Sequence, residues 1–299
     1  MTDISDQDLL NLIIAADDET FQKGTPPKGR WMPVVSTVMK KLGQPDYVLA
    51  GVGTPPIVER IGKLHSSLYR TSDTAIGGIH AGIFMFRDVF ARISIPLMYG
   101  TAQMDLFKLT DLSSTQLQWL GSRPADRDAY IDQATDVFDF AGGIANLAQF
   151  ETPPEEARQV FHNAGFQLQA AAATLSLAFD FRGAVQSALM GAELALKGAL
   201  AAKGLDAEQR RKHSHKLDSA AKAVAQLYPG FDLERALTVI AKLPPLVENR
   251  YSAEQPSRVE TGHIVMGAQY IAGEAMRQVT GYSIRQAFRL YPKRNYPPV

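Results

Sequence analysis

The sequence predicts an all-α fold, and three observations carry the prediction. Apolar residues return at steps of three and four along most of the chain. Helix-start signals precede those stretches: Thr54-Pro55-Pro56, Thr152-Pro153-Pro154-Glu155-Glu156, Asp206 with Gln209, and Ser257 with Glu260. No alternating strand of convincing length and no repeat period is evident.

The clearest helix is Asp180 to Gly204, with Phe181, Val185, Leu189, Ala192, Leu196 and Leu200 on one stripe. Ala188, Met190, Leu194, Ala195 and Ala199 cover most of the remaining surface, which marks a buried central rod. Gln186, Glu193 and Lys197 form its one narrow polar line, and Glu193 precedes Lys197 by four, the favourable order for a helical ion pair. Charges on a buried helix must be paired or must face a cleft or an interface. Both readings stay open: a satisfied internal pair, or a ligand or dimer groove.

Taken in order, Ser5 or Asp3 caps a first helix carrying Leu9, Leu10, Ile13 and Ile14. Residues 22–30 form a loop, and residues 33–42 a short helix or strand. The stretch 49–56 holds only Gly51 and Gly53, and Pro55 and Pro56 stand where phosphate-binding amides would be needed, so it is not a nucleotide loop. Thr54 instead caps a helix with Ile57, Ile61, Leu64 and Leu68 inward. Gly77 to Ile95 reads as a helix with Ile79, Ile83, Phe86, Phe90 and Ile93 on its stripe, stopped before Pro96; His80 is a surface or core histidine there. Shorter helices are expected over 101–109 and 113–120, and long ones over 125–150 and 155–179. ETPPEE (151–156) is the expected division between an N-terminal helical region, 1–150, and a C-terminal bundle, 155–299, whose core spans about 180–281. Within the bundle, Leu217, Ala221, Val224 and Tyr228 line one helix and Leu233, Leu237 and Ile240 a short one capped by Asp232. The last carries Ile264, Ala268, Ile271, Ala275 and Val279 and stops at Gly281.

Composition narrows the function. A chain of 299 residues with 45% hydrophobic and 21% charged residues is globular. Lys plus Arg and Asp plus Glu are both 31, so no overall field draws it to nucleic acid or an anionic membrane. The absence of cysteine excludes disulfides, zinc–thiolate sites and cysteine nucleophiles, and with no HExxH either, neither a metal nor a cofactor is expected. The acidic N-terminus lacks a signal pattern, and Arg87, Asp88 and Arg92 interrupt the most apolar region. A cytoplasmic protein without membrane contact is expected.

The C-terminal 120 residues resemble the HEPN superfamily of helical bundles. The pieces are A-E-L-A-L-K (192–197), H-S-H-K-L (213–217), N-R-Y-S (249–252) and a last helix opened by S-R-V-E. The resemblance implies a four-helix bundle, a homodimer, and binding of RNA or nucleotide, in a prokaryotic defence or toxin–antitoxin setting with a partner protein. Many members are metal-independent endoribonucleases using Arg, four to six residues, then His. Arg60–His65, Arg210–His215 and Arg258–His263 have that spacing. The first lies outside the resemblance. The second opens the second bundle helix, and the third enters the last. Where nuclease members carry their motif, this chain has Glu248-Asn249-Arg250-Tyr251 with no histidine following, so it is similar to the non-nuclease branch marked by E-L-x-L-K and H-x-L.

Three functions are therefore carried forward. The first is RNA or nucleotide binding, with Gln186, Glu193, Lys197, Arg250 and Tyr251 as a ligand or dimer groove. The second is metal-independent RNA cleavage, in which histidine supplies acid or base and arginine the phosphate clamp, from His263 with Arg258 or His215 with Arg210. The third is an interaction scaffold with the Glu193–Lys197 strip as its seam. Histidine and arginine converging in one open groove would favour the enzyme; an apolar groove with Glu193 and Lys197 buried against each other would favour the scaffold. His215 points outward if its helix is continuous from Asp206, and is free to meet Glu193 or Lys197 if the helix begins near Ser214; His213 shares the apolar face in the first case. On the last helix, His263, Tyr270 and Glu274 fall on one flank. Arg211 and Lys212, and the tail cations Arg285, Arg289, Lys293 and Arg294 interleaved with Tyr282, Phe288, Tyr291 and Tyr296, suit single-stranded RNA.

Overall fold

The computed structural model describes residues 4–49, 51–70, 73, 78–98, 104–147, 153–177, 180–246 and 255–287. These residues are mostly helical, with one two-stranded sheet among them. The chain divides into two compact units, Met1–Gly77 and Gly78–Val299. ETPPEE (151–156), the expected division, falls within the second of these units.

In the smaller unit, α1 (Asp6–Gln22), α2 (Trp31–Lys41) and α3 (Pro56–Ser67) surround Leu9, Ile13, Val34, Val38 and Ile61. Ser5 caps α1 by accepting from the Asp8 amide, and Pro55, not Thr54, occupies the cap position of α3. Three buried polar groups and the partly buried Tyr69 meet beside this core. The Asp17 carboxylate accepts from Arg30 (3.1 Å) and Tyr69 (2.5 Å) and meets His65 at 3.3 Å. Arg60 pairs instead with Asp6, so this Arg–His spacing serves packing.

In the larger unit, the expected helix over Gly77–Ile95 is a β-hairpin. Strands β1 (His80–Phe86) and β2 (Val89–Ile95) pair antiparallel from His80 opposite Ile95 to Phe86 opposite Val89. Arg87 and Asp88 are left as the turn, with Arg87 at φ 61°. The physical reason for the difference is burial on both faces. All seven residues of β1 are buried, so no alternation is visible, and a short, continuously apolar run cannot be told from a helix by period. β2 does alternate, with Ala91, Ile93 and Ile95 buried and Arg92 exposed.

Both edges of the hairpin are closed. On the outer edge of β2 the Ser94 amide donates to the Leu109 carbonyl (2.8 Å) and the Asp111 amide to the Arg92 carbonyl (3.2 Å). At β1 a side chain replaces a strand: Gln269 Oε1 accepts from the Ile83 amide (2.7 Å), and its Nε2 donates to the Ile83 carbonyl (2.8 Å). Gln269→Leu is expected to strand both groups in an apolar interior and to cost about 2–4 kcal/mol. Urea denaturation would show it, and a loss below about 0.5 kcal/mol would mean that the edge finds other partners.

The helices that follow are α4 (Ser114–Gly121), α5 (Pro124–Leu147), α6 (Glu155–Leu177) and α7 (Phe181–Ala202). After them come α8 (Ala207–Arg211), α9 (Leu217–Leu227), α10 (Leu233–Ile240), α11 (Arg258–Thr280) and α12 (Ile284–Ala287). Over 101–109, the described part holds only a single 3-10 turn, Leu106–Lys108. α7 packs against α6, α11 and α9, as a rod apolar nearly all round must. α11 packs against α7, α5 and β1, so its expected polar flank is interior: Tyr270 and Glu274 are buried. Gly273 permits that approach, because a Cβ there would lie 2.8 Å from the Asp136 carbonyl of α5. Gly281, at φ 66°, ends the helix in the left-handed conformation.

Candidate functional site

The break between α8 and α9 places the candidate site. Ser214 adopts φ 47°, a conformation no helix interior allows, so α9 begins afresh at Leu217. Of the two alternatives for this segment, the structure takes the interrupted one. His215 is therefore free to turn toward α7, and its Nδ1 lies 2.9 Å from Glu193 Oε2. Lys197 donates to the other oxygen, Oε1, at 2.6 Å. Glu193 is buried with both oxygens occupied, whereas the His215 side chain is 48% exposed. An ionised carboxylate is acceptor-only, so the proton on this contact sits on Nδ1. The Nε2 nitrogen is left for solvent or a ligand. His213 is held apart from it, its Nδ1 2.9 Å from Ser219 Oγ.

His215 and Glu193 line a cleft of about 240 Å³. Its walls are Leu189, Leu217, Ile240, Leu243 and the Pro244-Pro245-Leu246 turn; Lys216 and Asp218 complete the polar side. The remaining strip residue, Gln186, is two helical turns below Glu193 and does not line the cleft; its Nε2 is buried without a hydrogen-bond partner. Arg250 and Tyr251 lie outside the described residues.

Neither candidate arginine joins its histidine. Arg210 is buried and pairs with Glu156 at the start of α6. Arg258 donates to the Asp88 carbonyl in the hairpin turn and stacks over Phe90 at 4.4 Å. His263 is half-buried on α11, and burial, then Lys242, hold its pKa below the usual histidine value. Arg211 and Lys212 are exposed beside the cleft-lining segment. Arg285 is not a surface cation: it lies 2.9 Å from Asp136 and donates to the Asp132 carbonyl at 3.1 Å. Arg289, Lys293 and Arg294 fall outside the described residues.

A buried charge cluster between α5 and α11 escaped the sequence reading. Arg277 reaches Asp136 (2.9 Å), Asp139 (3.1 Å) and Glu274 (2.8 Å). Arg235 and Arg285 each approach Asp132 at 3.8 Å. Asp139 also accepts from the Ile284 amide at 2.5 Å, which ties α12 to α5. Four carboxylates thus face three guanidiniums. Burial, against the pull of Arg285 and with some help from Asp136, pushes Asp132 up to about 6. Burial works against the charge on Arg277, yet Asp136, Glu274 and Asp139 outweigh it and raise its pKa. Asp132, Asp136 and Asp139 at spacings of four and three on one face of α5 were the available signal. Among the described residues no His, Asp and Glu side chains are grouped to hold a metal ion, and no helix is long and apolar enough to cross a membrane.

The chain matches no family model, no curated protein and no solved structure. Chemistry must therefore be argued from the cleft itself. Its described lining residues offer an oriented imidazole and one ammonium at the edge of an aliphatic slot, and no guanidinium is among them. That set can bind an anion attached to an apolar body. For RNA cleavage it lacks the arginine clamp of the expected pairs.

Proposed function

We propose that this chain is a HEPN-like binding protein whose cleft takes a nucleotide, free or at the end of an RNA. The observation that carries this is His215, fixed by Glu193 beside Lys216 at the edge of an aliphatic slot. A phosphate finds two cationic or hydrogen-bonding groups there, and a base finds apolar walls. At about 240 Å³, below the roughly 300–1,000 Å³ of drug-sized sites, the cleft takes the base or another part of one nucleotide rather than a length of chain. Exposed Arg211 and Lys212 supply nearby charge for an RNA backbone. The homodimer and the defence or toxin–antitoxin setting rest on the resemblance alone.

The test is titration of a labelled single-stranded RNA, and competition by adenosine and uridine 5′-monophosphates, in EDTA. Wild type is expected to bind, and His215→Ala with Lys216→Ala to weaken binding at least about tenfold, the effect of losing charged contacts. Binding unaffected by both substitutions would move the site elsewhere. RNA cleavage abolished by His215→Ala would restore the endoribonuclease reading. A second reading, the interaction scaffold, draws on the Glu193–Lys197 pair, in which Glu193 is buried and Lys197 partly so. It takes first place if wild type binds neither RNA nor nucleotide.

A further inference from the structure

We propose that Asp218 reads the ribose hydroxyls of the nucleotide in this cleft, so that the site prefers ribonucleotides to deoxyribonucleotides. The inference rests on the nucleotide reading above and assigns a specificity that the reading leaves open.

Among the described residues, the polar side of the cleft holds two carboxylates with different availability. Glu193 is closed, since Lys197 and His215 occupy its two oxygens. Asp218 lines the same cleft from the first turn of α9, three residues after His215 and two after Lys216, with its side chain half exposed. Lys222, one turn further on, holds Asp218 Oδ2 at 3.1 Å and thereby keeps the carboxyl pKa below the usual range. Near neutral pH this group is an anion that only accepts hydrogen bonds.

A carboxylate beside two phosphate-binding groups selects ligand chemistry in two ways. It repels the phosphate toward His215 and Lys216, which sets the direction in which the ligand lies. It also demands a hydroxyl or amine donor close to that phosphate. A ribonucleotide supplies this pattern in its sugar: phosphate at one end, hydroxyl donors beside it, and an apolar base for the slot walled by Leu189, Leu217, Ile240 and Leu243. Carboxylates are used in this way toward ribose in dinucleotide sites. A sugar phosphate would meet the polar edge but leave the aliphatic walls empty. A deoxynucleotide would offer Asp218 one hydroxyl donor fewer.

The experiment compares adenosine 5′-monophosphate with its 2′-deoxy and 3′-deoxy forms by calorimetry, on wild type, Asp218→Asn and Lys222→Ala. Wild type is expected to favour the ribonucleotide over its 2′-deoxy form about tenfold or more, as for a hydrogen bond to a charged group; the 3′-deoxy form shows whether the other hydroxyl shares the contact. Asp218→Asn should reduce that ratio toward one while still binding the deoxy form. Lys222→Ala, which removes only an exposed pair, should keep the ratio. Equal wild-type affinity for ribo and deoxy forms, or a preference that survives Asp218→Asn, overturns the assignment and leaves the nucleotide reading standing. Absence of binding by all three overturns both.

Discussion

Arg277→Met is expected to destabilise the larger unit by about 4 kcal/mol, the cost of breaking a buried ion network from one side. For a unit of this size the melting midpoint should fall by roughly 8–16 °C. The side chain is almost fully buried and contacts Asp136 and Asp139, which have no exposed surface, and Glu274, whose side chain is 9% exposed. Removing it leaves Arg235 and Arg285 to answer four carboxylates, and Arg235 approaches one of them only at 3.8 Å. Charge, not volume, is the expected cause. Asp136→Asn combined with Asp139→Asn should therefore cost less in the Arg277→Met background than in wild type, a coupling that a double-mutant cycle measures. Additive losses, or an Arg277→Met loss under about 1 kcal/mol, would show the cluster to be dispensable.

The second large effect is a pair of opposed pH dependences. Burial pushes His80, tilted against Phe140 and hydrogen-bonded to Gln169, down to about 4. On acidification the unfolded chain binds this proton first, near 6.5, so stability present above 6.5 is lost as pH falls toward 4. The gap is worth about 3 kcal/mol. Asp132 behaves oppositely. Its folded pKa of about 6 lies above the ordinary 3.8, so the folded chain binds the proton first. That contribution is full below 3.8 and is lost as pH rises through 6, again about 3 kcal/mol. In wild type the two slopes largely cancel between pH 4 and 6. His80→Gln should therefore gain stability as pH falls through that window, and Asp132→Asn should lose it. Denaturant midpoints at pH 4, 5, 6 and 7 test both, and parallel profiles for the three proteins would refute the assignment.

Much of the helical layout was legible because its signals are local. Ser113 with Gln116, Asp206 with Gln209 and Ser257 with Glu260 are reciprocal capping boxes, and each depends on residues three apart. The central rod was legible for the same reason: a helix apolar nearly all round must be surrounded. The hairpin was not. Ile79, Ile83, Phe86, Phe90 and Ile93 fall at helical steps by coincidence, and the two-sided burial of β1 that removes alternation is conferred by α5, α6 and α11, distant in sequence.

The same division holds at the cleft and the cluster. Sequence alone determined that Glu193 and Lys197 share a helical strip and that a charge there needs a partner, because helical spacing sets both. It also left His215 two futures. Only the tertiary structure chose between them, since the break at Ser214 decides whether the imidazole points outward or onto Glu193. Only tertiary structure committed Arg210 to Glu156, Arg258 to the hairpin turn and Arg285 to Asp136, so that none of these three lines the cleft. A charged side chain near an interior goes to the strongest counter-charge within reach, and which counter-charges are in reach is set by packing, not by spacing along the chain.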